Sequence, residues 1–255
     1  MEPHHTSELA DSFSRYFAIT PALDTERLQE TWRVRHEVYC EDLGWEPQRA
    51  DGLETDEFDT HSVACLMRSS VNGSRVGCVR LILCDPQDPD APLPIETACA
   101  ATFDRSVFDS ASVDRRRIAE VSRLAVVSQY RRRKGESDKP ISLELADFGE
   151  SGQQRFPFIP VGLYLSAFAV AEHLGIDYLL VLTEPRLAKH LGKLGIHIRQ
   201  IGAGIEHRGL RVPSVIDTKS TIANLHHLLA HLWPKIRNAV AAEYTTAGTG
   251  NLVVP

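Results

Sequence analysis

Apolar and polar residues alternate along the chain in blocks that predict both helices and strands. Helical spacing of apolar residues predicts helices over 7–17 and 25–43, the second capped by Asp24 or Thr25. Short apolar runs bounded by turn residues predict strands, and further helical patterns follow the third of them. The predicted strands cover 61–68, 75–84, 120–127, 178–183 and 196–205, and the later helices cover 161–174 and 184–194.

This order of strands, then helix, strand, helix and strand predicts an α/β fold with a sheet of mixed direction. We expect one domain over 1–220. An amphipathic helix over 221–243, interrupted near Pro234, is predicted to pack on it because its apolar residues recur at helical spacing. Residues 244–255 are predicted to be a disordered tail.

Composition narrows the possible classes of protein. The 255 residues are 43% hydrophobic, which suits one large domain or one domain with additions. A formal net charge of -6 argues against a general nucleic-acid binder. No apolar run reaches the length of a membrane span, and the amino terminus lacks a basic start and a hydrophobic signal core, so no stable membrane insertion and a cytoplasmic location are expected.

Cysteine and histidine usage predicts no metal site. The five cysteines are odd in number, lack C-x-x-C spacing and mostly lie in apolar context, so we expect buried, reduced thiols. His227 and His231 lie one helical turn apart, but no third ligand supports zinc.

The segment 120–137 combines a buried strand with a basic, glycine-containing turn. After the strand, Arg132 to Ser137 resemble the R-x-x-G-x-small loop with which GCN5-related N-acyltransferases (GNAT proteins) receive a pantetheine thioester. Gly135 lets the backbone approach a phosphate, and neighbouring arginines add charge-assisted hydrogen bonds. Taken alone, a loop of this kind is more often a solvated basic turn than a phosphate-binding site.

Four motifs upstream of this loop make the resemblance more specific. They are RHEVYCEDLGW at 35–45, ETDEFD at 54–59, GCVRL at 77–81 and EVSRL at 120–124. In this order they resemble the acyl-homoserine-lactone synthases. Farther along, RFPFIPVGLY, TEPRLAKHLGKLGI and IGAGIEHRGLRVPSV resemble the N-acyl amino acid synthase-like branch, and above all the acyltransferases associated with the PEP-CTERM/exosortase system. The resemblance implies the GNAT fold, a mixed central sheet flanked by helices, here with an added carboxyl-terminal helix.

The resemblance also implies a charged acceptor site between the amino-terminal segment and the sheet. Its proposed members are Arg35, Tyr39, Trp45, Asp56, Asp59, Arg80, Glu120 and Arg123. Opposed arginines and carboxylates can hold an amino acid by both of its charged groups. The alternative is structural: the same cluster can fasten the amino-terminal loop over the sheet through buried ion pairs.

Acyl transfer to an amine requires a base that takes a proton from the amine, a hydrogen-bond donor that stabilises the oxyanion, and a proton donor to the leaving thiolate. Glu120 is the candidate base, and backbone N–H groups around Leu124, Val126 and Val127 are candidates for the oxyanion. Tyr130 and Tyr164 are possible proton donors to the thiolate. The basic loop after the strand is predicted to bind the donor phosphate or to dock the carrier protein. Its residues are Arg131, Arg132, Arg133, Gly135 and Ser137.

The predicted activity is transfer of a fatty acyl group from an acyl carrier protein, or from acyl-CoA, to the amino group of an amino acid or related amine. No tightly bound cofactor is expected, and the donor thioester carries the phosphopantetheine. Two alternatives remain open. One is a lactone synthase that uses S-adenosylmethionine, and the other is a non-catalytic module that binds an acyl carrier.

Overall fold

Eight strands form one mixed sheet at the centre of the structure, a computed structural model that describes residues 3–131 and 158–248. The strands are β1 (Phe17–Pro21), β2 (Ser62–Ser69), β3 (Arg75–Ile82), β4 (Ile118–Val126), β5 (Tyr178–Thr183), β6 (Arg199–Gln200), β7 (Ile205–Glu206) and β8 (Leu210–Asp217). Their order is β1-β2-β3-β4-β5-β8-β6, and β7 pairs with β8. Only β4 and β5 run parallel; the other paired strands are antiparallel.

Helices cover both faces of the sheet. They are α1 (Pro3–Tyr16), α2 (Thr25–Arg35), α3 (Pro94–Ala98), α4 (Phe158–His173), α5 (Pro185–Gly192), α6 (Thr218–Ala223) and α7 (Leu232–Ala247). α1, α4 and α7 pack on one face, where α4 is buried on nearly all sides between the sheet and α7. α2 and α3 lie on the opposite face.

The chain passes from one face of the sheet to the other between α1 and α2. The Asp24 side chain accepts a hydrogen bond from the Arg27 N–H at 2.8 Å and so caps α2 as predicted. α2 then continues as a π-helical turn, His36–Asp42. A 3₁₀ turn, Glu57–His61, delivers the chain to β2. The intervening loop therefore lies beside β3 and β4, which positions the candidate site.

The predicted strand over 196–205 is wrong. That stretch forms only the two-residue strands β6 and β7, and its glycines interrupt it: a Cβ at Gly202 would lie 2.4 Å from the Thr102 carbonyl oxygen. The long strand is instead β8. β8 contains Pro213, which has no N–H to donate to a neighbouring strand. The Pro213 carbonyl accepts a hydrogen bond from the Ile201 N–H, on the side away from β5. The Pro213 nitrogen faces that same side, so no hydrogen bond between β5 and β8 is lost.

The carboxyl end also differs from the expected single interrupted helix. Three short helical pieces, α6, a 3₁₀ turn at His227–Leu229 and α7, replace it. Pro234 lies in the first turn of α7, where its missing N–H costs nothing. α7 runs to Ala247 because Tyr244 is buried, so 244–247 are helical rather than part of a disordered tail. Residues 249–255 lie outside the described part. Within 3–131 and 158–248, no helix is both long and apolar enough to cross a membrane.

Candidate active site

The candidate site lies where β4 and β5 part. Their parallel pairing ends at Val121 and Val181, yet β4 continues to Val126 and β5 to Thr183. Among the described residues, the backbone of β4 beyond Val121 has no strand partner on that side. Val127 donates its N–H to the Val76 carbonyl at 3.0 Å, on the β3 side. Because successive residues of a strand point their backbone groups in opposite directions, the Val126 N–H faces the β5 side.

A β-bulge in β4 shapes the same point. The register with β3 shifts between Cys78 and Arg80, so that Arg123 and Leu124 on β4 together face one residue of β3. Arg123 has a φ of +48°, in the left-handed region. On the partner strand only glycine fits, since a Cβ at Gly77 would lie 2.5 Å from the Ala125 carbonyl oxygen. The predicted G-x-x-R-L strand thus needs its glycine for close approach to the bulge.

Glu120 lies on β4 just before the strands part and is buried, with 7% of its surface exposed. Its Oε2 accepts a hydrogen bond from the Ile95 N–H at 2.8 Å. Burial raises the pKa of Glu120 to about 7, although that hydrogen bond and the nearby Arg80 oppose the rise. A carboxyl group with this pKa exchanges a proton near neutral pH, as a general base or acid must.

Helix α3, which supplies that N–H, is held by an ion pair. Arg115 donates from Nη1 and Nη2 to the two oxygens of Glu96, at 2.9 and 2.7 Å. Burial opposes the charge on Glu96, but the hydrogen bonds from Arg115 and Ser110 hold its pKa below the ordinary value. The charged pair therefore keeps α3 fixed against Glu120.

The charged cluster next to this point has a buried layer made of two arginines and three carboxylates. These are Arg35, Arg80, Glu54, Asp56 and Asp59. Arg80 donates to Asp56 at 2.6 Å, to Asp59 at 2.8 Å and to the Ser122 hydroxyl at 3.0 Å. Arg35 donates to Asp59 at 2.6 Å and bonds Glu54 as well.

The burial of this layer favours a structural contribution. The side chains of Arg35 and Arg80 are 1% and 2% exposed, and both already bond carboxylates. The carboxylates of Glu54 and Asp59 come from the loop that precedes β2, so their ion pairs tie that loop to α2 and β3. This arrangement matches the fastening alternative raised from the sequence, while substrate contact by these residues stays a prediction.

The outer layer is more accessible. Arg123 donates to Glu54 Oε1 at 3.1 Å, and its Nη2 also lies 3.1 Å from Asp56 and 3.8 Å from Glu46. Arg208 donates to the same Glu46 oxygen at 2.9 Å. The side chains of Arg123, Glu46 and Arg208 are 25%, 25% and 32% exposed. A small ligand can reach this layer.

Two aromatic rings lie against the outer layer. Tyr39 and Trp45 stack with ring centroids 6.1 Å apart. The guanidinium of Arg123 lies 5.6 Å from the Tyr39 centroid, and that of Arg208 lies 5.2 Å from the Trp45 centroid. The Tyr39 hydroxyl donates to the Leu124 carbonyl at 3.1 Å, which joins the aromatic pair to the bulge. The structure thus brings all eight predicted acceptor-site residues to one region, on or beside β3 and β4.

The predicted donor-site residues are only partly described. Arg132, Arg133, Gly135 and Ser137 lie outside the described residues, so the glycine loop stays a prediction. Arg131 has a side chain only 5% exposed, and it forms an ion pair with Asp42. Its proposed contact with a phosphate or carrier also stays a prediction, as does the oxyanion role of Leu124, Val126 and Val127.

The proton-donor candidates differ in their surroundings. Tyr164 on α4 is buried beside Thr183 at the end of β5, and burial raises its pKa well above the ordinary value. Tyr130 shares a hydrogen bond of 2.9 Å with the Ser74 hydroxyl, away from the charged cluster. Tyr164 thus lies beside the last residue of β5, two residues beyond the end of its pairing with β4. In the described residues no group of three metal-ligating side chains converges.

Three members of the site were not singled out from the sequence. Glu54 is the first residue of the E-T-D-E-F-D motif, but the sequence does not show that it is buried, with only 3% of its surface exposed. Glu46 and Arg208 carried no signal of their own. They meet only because the β7–β8 hairpin brings Arg208 to a loop 162 residues earlier in the chain.

Part of the chain matches a known domain family. Residues 34–137 match the acetyltransferase (GNAT) domain family. The chain is similar to the acyl-homoserine-lactone synthase of Aeromonas salmonicida, with 24% identity over 173 residues, which cover 68% of this chain and 70% of that protein. It is also similar to the acyl-homoserine-lactone synthase of Vibrio anguillarum, with 23% identity over 190 residues, covering 74% and 82%.

Solved structures share the fold at low sequence identity. FeeM, an N-acyl amino acid synthase from uncultured soil microbes, superposes with a TM-score of 0.53 at 15% identity and covers 82% of this chain and 94% of its own. BjaI, a CoA-dependent acyl-homoserine lactone synthase solved with SAM and isopentyl-CoA, gives 0.55 at 18% identity and covers 90% and 99%. The predicted GNAT fold is confirmed. The chain thus shares the GNAT fold and is similar to these synthases at low sequence identity.

Proposed function

We propose that this GNAT-type acyltransferase moves a fatty acyl group from a carrier-protein thioester, or less readily from acyl-CoA, to the amino group of an amino acid or related amine. The observation that carries the proposal is Glu120, a buried carboxyl with a pKa of about 7, placed one residue before the pairing of β4 with β5 ends. A proton acceptor for the amine thereby lies beside the gap in which a thioester would be received.

The chemistry follows from these positions. The acceptor enters as an ammonium, and Glu120, directly or through one water, takes its proton. The neutral nitrogen attacks the thioester carbonyl, and the Val126 N–H stabilises the negative charge that develops on the carbonyl oxygen. When the tetrahedral intermediate collapses, the C–S bond breaks, and the second proton that the nitrogen loses on becoming an amide passes to the leaving thiolate. The products are an amide and a free thiol.

The preference for a carrier protein and the assignment to the PEP-CTERM/exosortase-associated family rest on the sequence motifs. Arg132 to Ser137 would meet the pantetheine phosphate. The basic run at 131–134 would face an acidic carrier.

The test is an acylation assay with two donors. Purified protein is incubated with acyl carrier proteins or acyl-CoAs of several chain lengths and with pooled amino acids, and products are detected by mass spectrometry alongside free thiol. An acyl amide formed by wild type and reduced roughly a hundredfold or more in Glu120→Gln is expected. Glu57→Gln, which changes an exposed glutamate, serves as the matched control. No amide with any donor and acceptor contradicts the proposal.

A second candidate is a lactone synthase that uses S-adenosylmethionine. The observation that favours it is the similarity to the acyl-homoserine-lactone synthases of two Aeromonas species and of Vibrio anguillarum. Release of methylthioadenosine together with an acyl-homoserine lactone would establish it. An acyl amide formed without S-adenosylmethionine would exclude the need for that substrate.

A further inference from the structure

The segment Glu206 to Arg211 carries an E-x-x-G-x-R pattern whose residues together place one arginine. Glu206 accepts a hydrogen bond from the Gly209 N–H at 2.8 Å, and Gly209 has a φ of +95°, which glycine alone adopts readily. Arg211 anchors the hairpin to the start of α5 through an ion pair of 2.6 Å with Glu184. The residue at the tip is Arg208, which is not itself part of the pattern.

Arg208 reaches across to the amino-terminal loop. It donates to the Trp45 carbonyl at 2.8 Å and to Glu46 at 2.9 Å, and it lies over the Trp45 ring. Its φ is +54°, a conformation that costs energy for a residue with a side chain. Among the described residues, only Arg123 and Arg208 have positive φ without being glycine. Both of these strained arginines contact the same oxygen of Glu46.

The Glu46 carboxylate therefore occupies a position between two guanidinium groups that are partly open to solvent. The other two carboxylates near Arg123, Glu54 and Asp56, belong to the buried layer and are bonded by Arg35 or Arg80 as well. Among the described residues, the Glu46 carboxylate bonds only Arg123 and Arg208 of the outer layer, and this side chain is 25% exposed. Of the carboxylates near Arg123, Glu46 therefore requires the least free energy to be displaced.

The electrostatic potential around Arg123 and Arg208 favours binding of an anion. His207 lies next to Arg208, and its pKa is lowered by burial and then by the charges of Arg208, Arg211 and Arg123. The aromatic faces of Tyr39 and Trp45 supply an apolar wall next to the guanidinium groups. An amino acid presents a carboxylate and an apolar side chain side by side, which fits this combination.

We propose that Arg208 and Arg123 form a subsite for the carboxylate of the acceptor, and that Glu46 fills this subsite until an acceptor displaces it. This inference rests on the proposed acyl transfer and narrows the acceptor to amines that carry a carboxylate. Arg123 lies on the same strand as Glu120 and within its electrostatic reach. A carboxylate held there directs the amino group of the same molecule toward the base.

The subsite is tested first by binding, because binding requires no turnover. Titration calorimetry compares N-octanoyl amino acids, which stand for the product, with their carboxamides. Wild type is expected to bind the acids about tenfold to a hundredfold more tightly, the effect of one charge-assisted pair. Arg208→Met should remove this preference, and Arg105→Met, which deletes an exposed arginine elsewhere, should keep it. Equal binding of acid and carboxamide by wild type, or no binding of either, overturns the subsite.

The direction in which Glu46→Gln changes ligand affinity separates two roles for Glu46. If Glu46 competes with the ligand, its neutralisation should tighten binding of the acids severalfold and lower the KM for free amino acids, with carboxamides unaffected. If Glu46 only latches the hairpin, the variant should weaken acid and carboxamide alike, and the proposal falls. Acid-selective binding that Arg208→Met abolishes, in a protein that forms no amide with any donor, would retain the subsite and reject the acyl transfer.

Discussion

Replacing Glu120 by glutamine should make the protein more stable above neutral pH while it loses activity. The folded-state pKa of about 7 lies above the ordinary value of 4.5, because burial disfavours the carboxylate. Between these two values the unfolded chain has released a proton that the folded protein keeps. The unfolded state therefore binds fewer protons, and the free energy of unfolding falls as pH rises.

The magnitude follows from the same two values. At about 1.4 kcal/mol per pKa unit, the buried carboxylate costs the folded state about 3 kcal/mol once the pH exceeds 7. Glutamine keeps the shape and an oxygen that can accept from the Ile95 N–H, but it cannot ionise. We therefore expect Glu120→Gln to gain about 3 kcal/mol over wild type at about pH 8.5, and under about 1 kcal/mol at about pH 5.

Urea unfolding of wild type and variant at both pH values measures this difference, and other titrating groups cancel between the two proteins. Glu57→Gln, at an exposed position, should show no such pH dependence. In activity assays, kcat/KM of wild type should rise with pH, with a midpoint at about pH 7, as the base ionises. A stability difference that is the same at both pH values would refute the reasoning, because it would mean that burial does not hold the proton on Glu120.

Three further outcomes are expected. Arg80→Met should lower the free energy of unfolding by about 3–5 kcal/mol, measured by urea titration, because it leaves the three carboxylates of the buried layer with Arg35 as that layer's single arginine; a loss below about 1 kcal/mol would contradict the fastening role. Gly77→Ala should cost about 1–3 kcal/mol in the same assay, since its Cβ would meet the Ala125 oxygen, and wild-type stability would disprove the close approach. Alkylation of the native protein, mapped by mass spectrometry, should modify the half-buried Cys84 well before Cys65, whose pKa burial raises to about 12; equal rates would count against that burial.

Local patterns in the sequence were enough to predict much of the fold. The helices at α2, α4 and α5 and the strands at β2 to β5 follow from apolar spacing and turn residues, which are properties of neighbouring residues. The same patterns failed at β8, for which no strand was predicted, and at β1, a five-residue strand that follows α1 without a break. Whether a short segment joins a sheet depends on the neighbour it pairs with, and the sequence does not display that neighbour.

The resemblance of the chain's motifs to a known family also singled out Glu120 and the arginines and aspartates of the cluster, whose residue types suit acid–base and ion-pair chemistry. Tertiary structure decided what each of them contributes. It divided the cluster into buried ion pairs around Arg35 and Arg80 and an open layer around Arg123, and it raised the pKa of Glu120 by burial. It also brought Arg208 to Glu46 from a distant hairpin. Burial and long-range contact depend on the whole packed chain, so no local pattern could have predicted them.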